Sequence, residues 1–523
     1  MEYRFRCDVE TALVRTNCGL VKGYEHDGLL IFKGIPYAQA RRFHAPEPVK
    51  AWDGVFDASN YGFVCPLLTS DRPNGELHVP HRYWPMDENC LNLNIWTPST
   101  DGKKRPVLFW LHGGGYEAGS SIEHLAYDGA NMSRLGDVVV VSVNHRLNIL
   151  GYFDLSDYGK EYANSGNAGG DDIIAALRWV RDNIAAFGGD AENVTVFGQS
   201  GGGAKVTTLL QSPAADGLYA RGMVMSGVIG PVLSDAVGCG RDLAEPLMAE
   251  LGLSSVKELE TVDYHLLAKA YRKIRPALEK AGKNFGCRPH PNAFYLGEPG
   301  VHGFREETKH IPLLVGSVFG EFTSFTPSPY DRSRMSEEEQ TSAVREMLGG
   351  EGAAELIPLF REAYPERQLI DLLRLDFIFR APEIAYIAQR SRLNGCTWSY
   401  LFNMDQPIDG GNTPWHCSDI PYLFHNIDLV EYPHGPQADP GLPERVQALC
   451  FGSLMQFART GDPNGDGLPA WPVCREGEEL TLLIDDHPRI LRNFDHRLIE
   501  AHARIMGPVM AKMMQQLHES VQH

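Results

Sequence analysis

Nowhere in the 523 residues does an apolar run approach the ~18 positions that a membrane-crossing helix needs. The opening stretch, MEYRFRCDVETALVRT, also lacks the apolar core of a secretory signal. Together these absences predict a cytoplasmic chain with no membrane partner. Positive charge is scarce as well: 48 Lys and Arg stand against 67 Asp and Glu, for a net charge of −19. With no extended basic run, nucleic acid is excluded as a partner. The ten cysteines form no C-x-x-C pair, which argues against a zinc ribbon or a thioredoxin-like centre. CRPH, from Cys287 to His290, is the single ligand-like spacing and is too isolated to hold a metal. In a cytoplasmic chain these thiols are expected to be reduced. Linkers rich in Pro, Gly or Ser are missing, and so are internal repeats.

What is present is a composition for a large core, 43% hydrophobic and 22% charged. We read residues 1–523 as one domain with helical insertions near 230–300 and 325–395. The N-terminal segment ALVRTNCGLVKGYEHDGLLIFKGIPYA has short β-prone runs broken by Gly, Asn and Asp, the pattern of an antiparallel meander. From about residue 106 the pattern changes. PVLFWL (106–111), VVVVSV (138–143), NVTVFG (193–198), MVMS (223–226), IPLLVG (311–316), TWSYLF (397–402) and LTLLID (480–485) read as buried strands. Between them, Ile173, Ile174, Leu177, Val180, Ile184 and Phe187 recur at helical spacing. Buried strands alternating with amphipathic helices predict an α/β fold, a mostly parallel sheet covered on both faces. Ligands of such sheets bind beyond the carboxyl ends of the strands.

Residues just after the strands therefore hold the candidates. Ser200, in GQSGG, follows the strand NVTVFG and precedes a helical stretch, the context of a nucleophile on a sharp strand-to-helix turn. Glycines two positions away on each side permit the turn, and the helix N-terminus favours negative charge at the serine. After PVLFWL comes HGGGY (112–116), whose Gly114 and Gly115 can present amides to an oxyanion, with Gly201 as a third donor. GGGYEA also fits a dinucleotide-binding fingerprint. That reading requires an acid at the end of the next strand, where Asn144 stands instead. A serine nucleophile needs a base and an orienting acid. Glu321 and His416 both follow strands, although twelve histidines lie beyond Ser200 and His425 is the next to consider.

With FKGIPYA (32–38), ENCLNLNIWTP (88–98), LHGGGY (111–116), GNAGGDD through GQSGG (166–202), HCSDIPYLF (416–424) and FARTGDPNGDGLPAWP (457–472), the chain resembles the type-B carboxylesterase and lipase family of cholinesterase-like α/β-hydrolases almost end to end. The resemblance implies a serine carboxylesterase acting on small-molecule esters, with no metal or organic cofactor. It assigns Ser200 as nucleophile, Glu321 as acid, His416 as base, and the amides of Gly114, Gly115 and Gly201 as the oxyanion hole. Ser226 matches a buried family serine that supports the acid and base.

There are departures from the family pattern. Gln199 stands where the family usually has Glu, and Gly201 where it usually has Ala; the loop after GIPYA is short. The missing charge at Gln199 points to neutral esters of small to medium size. Cys65 and Cys90 occupy positions where the family often has a disulfide. Asn131 and Asn193 each head an N-x-S/T sequon, which carries no meaning without secretion. Two other functions share this resemblance. One is a non-catalytic adhesion or binding protein, disfavoured because all three triad positions are filled. The other is an amide or carbamate hydrolase using the same machinery.

Overall fold

The structure is a computed structural model describing residues 4–520 except 9, 69–81, 229, 231–239, 284–286, 325–329, 394, 407–410, 431–438 and 440; side chains beyond 508 are not described. Its centre is a twelve-stranded sheet. In chain order the strands are β1 (Phe5–Arg6), β2 (Tyr24–His26), β3 (Leu29–Pro36), β4 (Asn92–Thr97), β5 (Arg105–Leu111), β6 (Val139–Val143), β7 (Gly189–Gln199), β8 (Arg221–Met225), β9 (Leu313–Val318), β10 (Thr397–Phe402), β11 (Leu480–Ile484) and β12 (Arg489–Arg492). The spatial order is β1-β2-β3-β4-β6-β5-β7-β8-β9-β10-β11-β12. From β6 to β11 every neighbouring pair is parallel. The strands before β6 and the last one pair antiparallel.

Alternation along each parallel strand explains why these runs read as continuously apolar. In β5, Val107, Phe109 and Leu111 enter the core on one face, while Leu108 and Trp110 enter the core on the other. The first face is covered by α1 (Ala168–Asn183) and α2 (Gly201–Leu210), through Ile173, Ile174, Leu177, Val180 and Val206. Between β8 and β9 lie α3 (Gly240–Leu251) and α4 (Tyr264–Lys280), and between β9 and β10 lie α5 (Glu337–Ala363) and α6 (Arg380–Arg392). Parts of the stretches 230–300 and 325–395 fall outside the described residues. On the second face α7 (Leu442–Thr460) packs Leu454 and Phe457 against the sheet. A third apolar cluster joins α5 to α8 (His496–Ser520) through Phe360, Leu498 and Ile499, with Leu401 and Leu483 of the sheet.

Two expectations are refined. The N-terminal strands are antiparallel as expected but belong to two sheets. Leu13–Arg15 and Leu20–Lys22 form a small sheet with Val55–Asp57, while β2 and β3 join the main one. The helix containing Ile173 ends at Asn183 and continues as a 3₁₀ turn over Ile184–Phe187. At that helix end the Asn183 side-chain amide donates back to the Trp179 carbonyl one turn earlier, at 2.9 Å.

Candidate active site at the strand exits

Ser200 sits between β7 and α2 with φ 58° and ψ −124°, a conformation that costs a residue with a Cβ about 1–3 kcal/mol. The turn is locked from both sides: the Ser200 N–H donates to Met225 O at 2.8 Å, and its carbonyl accepts from Ala204 at 3.0 Å. The flanking glycines are required by space. A Cβ on Gly198 would lie 2.5 Å from the Gly202 carbonyl carbon, and one on Gly202 would lie 2.0 Å from Leu111 O. Helix and strand thus approach more closely than any larger residue allows. Ser200 itself is half-buried, at the mouth of this junction.

The loop after β5 lies directly against the serine. A Cβ on Gly113 would be 3.4 Å from the Ser200 Cβ, and one on Gly201 would be 2.5 Å from the Gly115 nitrogen. That approach gives a physical reason for Gly at 201, since a methyl would collide with the Gly115 backbone. Gly114 and Gly115 have φ of 84° and 63°, which favour glycine. Every carbonyl preceding an amide of this loop accepts a hydrogen bond. His112 O accepts from Lys205, Gly113 O from the His112 Nδ1–H at 2.9 Å, and Gly114 O from Ala118 N at 3.0 Å. A carbonyl so held turns the N–H of its peptide the opposite way.

Glu321 and His416 leave the ends of β9 and β10 on loops that are paired through their backbones. Phe319 N donates to Phe402 O, Gly320 N to Pro414 O, and His416 N to Glu321 O at 2.7 Å. Both side chains are buried. His416 Nδ1 meets Glu321 Oε2 at 2.5 Å. The other carboxylate oxygen, Oε1, accepts from Ser226 Oγ at 2.6 Å and from Val318 N at 3.0 Å. Ser226 follows β8, so three adjacent strands, β8, β9 and β10, send a residue to one place. The acid accepts hydrogen bonds on both oxygens, which fixes the orientation of the carboxylate.

Gln199, expected beside the nucleophile, gathers here together with residues that the sequence did not single out. Gln199 Nε2 is 3.3 Å from both nitrogens of His416. Equidistance within the ring plane would drive it into the ring carbons, so the amide lies over the imidazole face. Its oxygen accepts from Cys417 Sγ at 3.0 Å, and Cys417 holds a strained φ of 73°. Phe322 and Phe379 stack on His416 with centroids 5.9 and 5.3 Å away. Asp376 and Asp419 are buried near Glu321, and each is pushed up to about 7, first by burial and then by the Glu321 charge. Asp376 accepts from Ile378, Phe379 and Arg380 N–H groups at the start of α6, so it also carries Phe379 into place. Asp419 lies three residues after His416 in the HCSDIPYLF stretch (416–424). Nothing at sequence level marked Asp376, Phe322 or Phe379: Phe322 directly follows Glu321, while Asp376 and Phe379 come from the insertion between β9 and β10.

The rivals fall elsewhere. The His425 ring lies against Phe451 at 5.1 Å and meets Gln447, and Asn144 is spent on Asn92 and the Ser121 N–H. Cys65 and Cys90 are both buried thiols, and hydrogen bonding to Cys65 followed by burial keeps the Cys90 proton on. Asn131 donates to His425 O and Asn426, and Asn193 accepts from Arg221. No described helix is long and apolar enough to cross a membrane.

Known proteins share this arrangement of chain. The carboxylesterase family profile matches residues 10–502. Para-nitrobenzyl esterase of Bacillus subtilis (strain 168) is 33% identical, over 90% of this chain and 94% of its own. Phenmedipham hydrolase of Pseudarthrobacter oxydans is 31% identical, over 91% and 95%. Among solved structures, an esterase from anaerobic Clostridium hathewayi that can hydrolyze aliphatic aromatic polyesters is 49% identical. It superposes with a TM-score of 0.92, over 96% of this chain and 100% of that one. The carboxylesterase of Geobacillus stearothermophilus is 31% identical with a TM-score of 0.70. With the sheet order, the strand-exit loops and these likenesses all in agreement, the chain belongs to the carboxylesterase family and is a carboxylic ester hydrolase of the α/β-hydrolase fold.

Proposed function

We propose that this esterase works through an acyl-enzyme on Ser200, with His416 as base, Glu321 as the orienting acid and the amides of Gly114, Gly115 and Gly201 as the oxyanion hole. The observation that carries the reading is the 2.5 Å contact between His416 Nδ1 and Glu321 Oε2 at the exits of β9 and β10, which follow β7 and β8 in the sheet on the side away from β5. A proton on Nδ1 leaves Nε2 with its lone pair, the tautomer a general base requires. His416 takes the Ser200 hydroxyl proton as the oxygen attacks the ester carbonyl, and the amides hold the negative oxygen. Each such donor is worth roughly 10²–10³ in rate. The C–O bond to the alcohol then breaks, with His416 returning the proton to the leaving oxygen. Water repeats the two steps and releases the acid.

The substrates proposed are neutral carboxylic esters with an aromatic group near the scissile bond. Gln199 brings no charge to the site, and Phe322 and Phe379 place aromatic rings beside His416. The activity named for the Clostridium hathewayi esterase, on aliphatic aromatic polyesters, points the same way. We read the chain as one domain whose insertions near 230–300 and 325–395 wall the substrate space. Two experiments test this. A fluorophosphonate probe should label the native protein and not Ser200→Ala; labelling of the variant refutes the nucleophile. A panel of neutral and charged esters varied in acyl and alcohol part should give its highest kcat/KM with neutral aryl members, and a preference for charged or purely aliphatic esters refutes the substrate class.

A further inference from the structure

Directly behind the proposed nucleophile, on the second turn of α2, stands a lysine in an otherwise apolar and small-residue stretch. Lys205 is buried, and its Nζ donates to the His112 carbonyl at 2.9 Å. That carbonyl belongs to the peptide whose nitrogen is Gly113, the first residue of the glycine loop lying against Ser200. The next peptide is treated the same way, since the His112 ring donates from Nδ1 to the Gly113 carbonyl. A carbonyl oxygen can only accept, so the Nδ1 proton is fixed. The chain of contacts thus runs from ammonium to His112 carbonyl, and from the same residue's ring to the peptide that carries the Gly114 N–H. A donor on a carbonyl draws electron density from its peptide and makes the attached N–H a stronger donor.

We propose that Lys205 is a positioning residue for ester hydrolysis: its ammonium holds and polarises the 112–115 loop so that the Gly114 and Gly115 amides are aimed at the developing oxyanion. The reading rests on Ser200 as nucleophile and goes beyond it. A buried cation behind a helix N-terminus adds to the positive potential where negative charge develops during the reaction. A surface lysine has no such reach, because water and salt screen it.

The groups facing Lys205 make its charge the variable one near neutrality. Burial pushes its own ionisation down to about 7, with the Glu123 carboxylate opposing. His112 and His145, stacked with centroids 5.1 Å apart, are both held well below the usual range by burial and then by the Lys205 charge, so they remain neutral. The Tyr116 ring lies 5.9 Å from Nζ, and burial keeps its phenol protonated. Arg146, beyond His145, stays charged against Asp172 at 2.6 Å.

The test compares native protein with Lys205→Met and Lys205→Gln on p-nitrophenyl butyrate, with active sites counted by fluorophosphonate. At pH 6 kcat should fall ~10–100-fold in both variants while KM changes less than ~3-fold, a somewhat smaller loss than removal of a direct oxyanion donor. The ratio of native to variant kcat should shrink at least fivefold between pH 6 and 8.5, as the native ammonium loses its proton. A ratio cancels the titration of His416, which the proteins share. An arm without variants uses an aryl trifluoromethyl ketone, whose adduct places an oxyanion in the same hole; native affinity should weaken over that pH range. Variant kcat within twofold of native, or a ratio and ketone affinity independent of pH, overturns the proposal. If Ser200→Ala stays inactive in that case, only the role of Lys205 is lost; if Ser200→Ala is active, the site itself is misassigned.

Discussion

Glu321 and His416 are joined twice, once through their side chains at 2.5 Å and once through the backbone, where the His416 N–H donates to the Glu321 carbonyl at 2.7 Å. The second bond ties the two loops together without any ionisable group. Removing the carboxylate charge should therefore leave the imidazole near its place. We expect Glu321→Gln to lower kcat ~10²–10⁴-fold with an unchanged melting temperature. Ser200→Ala and His416→Ala should each cost ~10⁴–10⁶. Steady-state kinetics on purified folded variants checks this; a His416→Ala enzyme more active than Glu321→Gln contradicts it.

Ser226 gives Glu321 Oε1 a hydrogen bond of 2.6 Å, and Val318 N gives it another at 3.0 Å. Losing one donor of two should weaken the hold on the acid by about 1 kcal/mol. Ser226→Ala is expected to retain ~10–20% of native kcat with KM unchanged. A loss as large as that of Glu321→Gln would mean that the serine does more than support the carboxylate.

Asp419 is pushed up to about 7 by burial and by the Glu321 charge, and its Oδ2 accepts from Tyr400 OH at 3.1 Å. Its folded ionisation lies above the unfolded value, so the folded state binds the extra proton between about pH 4 and 7. Stability contributed by this group thus falls as pH rises through that window and stays low above it. Asp419→Asn cannot ionise and escapes the penalty. We expect it to match native stability near pH 4.5 and to exceed it by ~1–3 kcal/mol at pH 8. Denaturant titration at the two pH values measures the difference, and equal pH dependence in both proteins refutes it.

Gln199 lies over the His416 face rather than towards open space, and only 1% of it is exposed. A carboxylate there would favour the imidazolium, moving the acid limb of kcat/KM to higher pH by about 1 unit. Gln199→Glu should also raise the preference for a choline ester over its neutral dimethylbutyl analogue, but less than tenfold, because the side chain is covered. An unmoved acid limb would show that the amide does not govern the base.

Much of the fold could be read in the sequence because burial on both faces leaves long apolar runs. Val107–Leu111, Val139–Val143 and Leu313–Val318 all appear as strands where those runs stand. Ser200 was legible for a local reason: its turn demands glycines at fixed offsets, and a strand and a helix flank it in the same stretch of chain. The acid and base needed more. Position after a strand narrowed them to Glu321 and His416 without choosing among the histidines, and the resemblance to a family made the choice. Their 2.5 Å contact spans 95 residues of sequence and exists because β9 and β10 are neighbours in the sheet. Phe379, Asp376 and the Gln199–Cys417 contact were invisible for the same reason: each depends on which side chain an insertion or a neighbouring loop delivers. Lys205 is the clearest case. Its spacing suits a solvated helix face, and only the packing of α2 beneath the glycine loop buries its charge against the His112 carbonyl. Local steric demands are written in neighbouring residues, whereas the environment of a charge is set by whatever the tertiary fold packs around it.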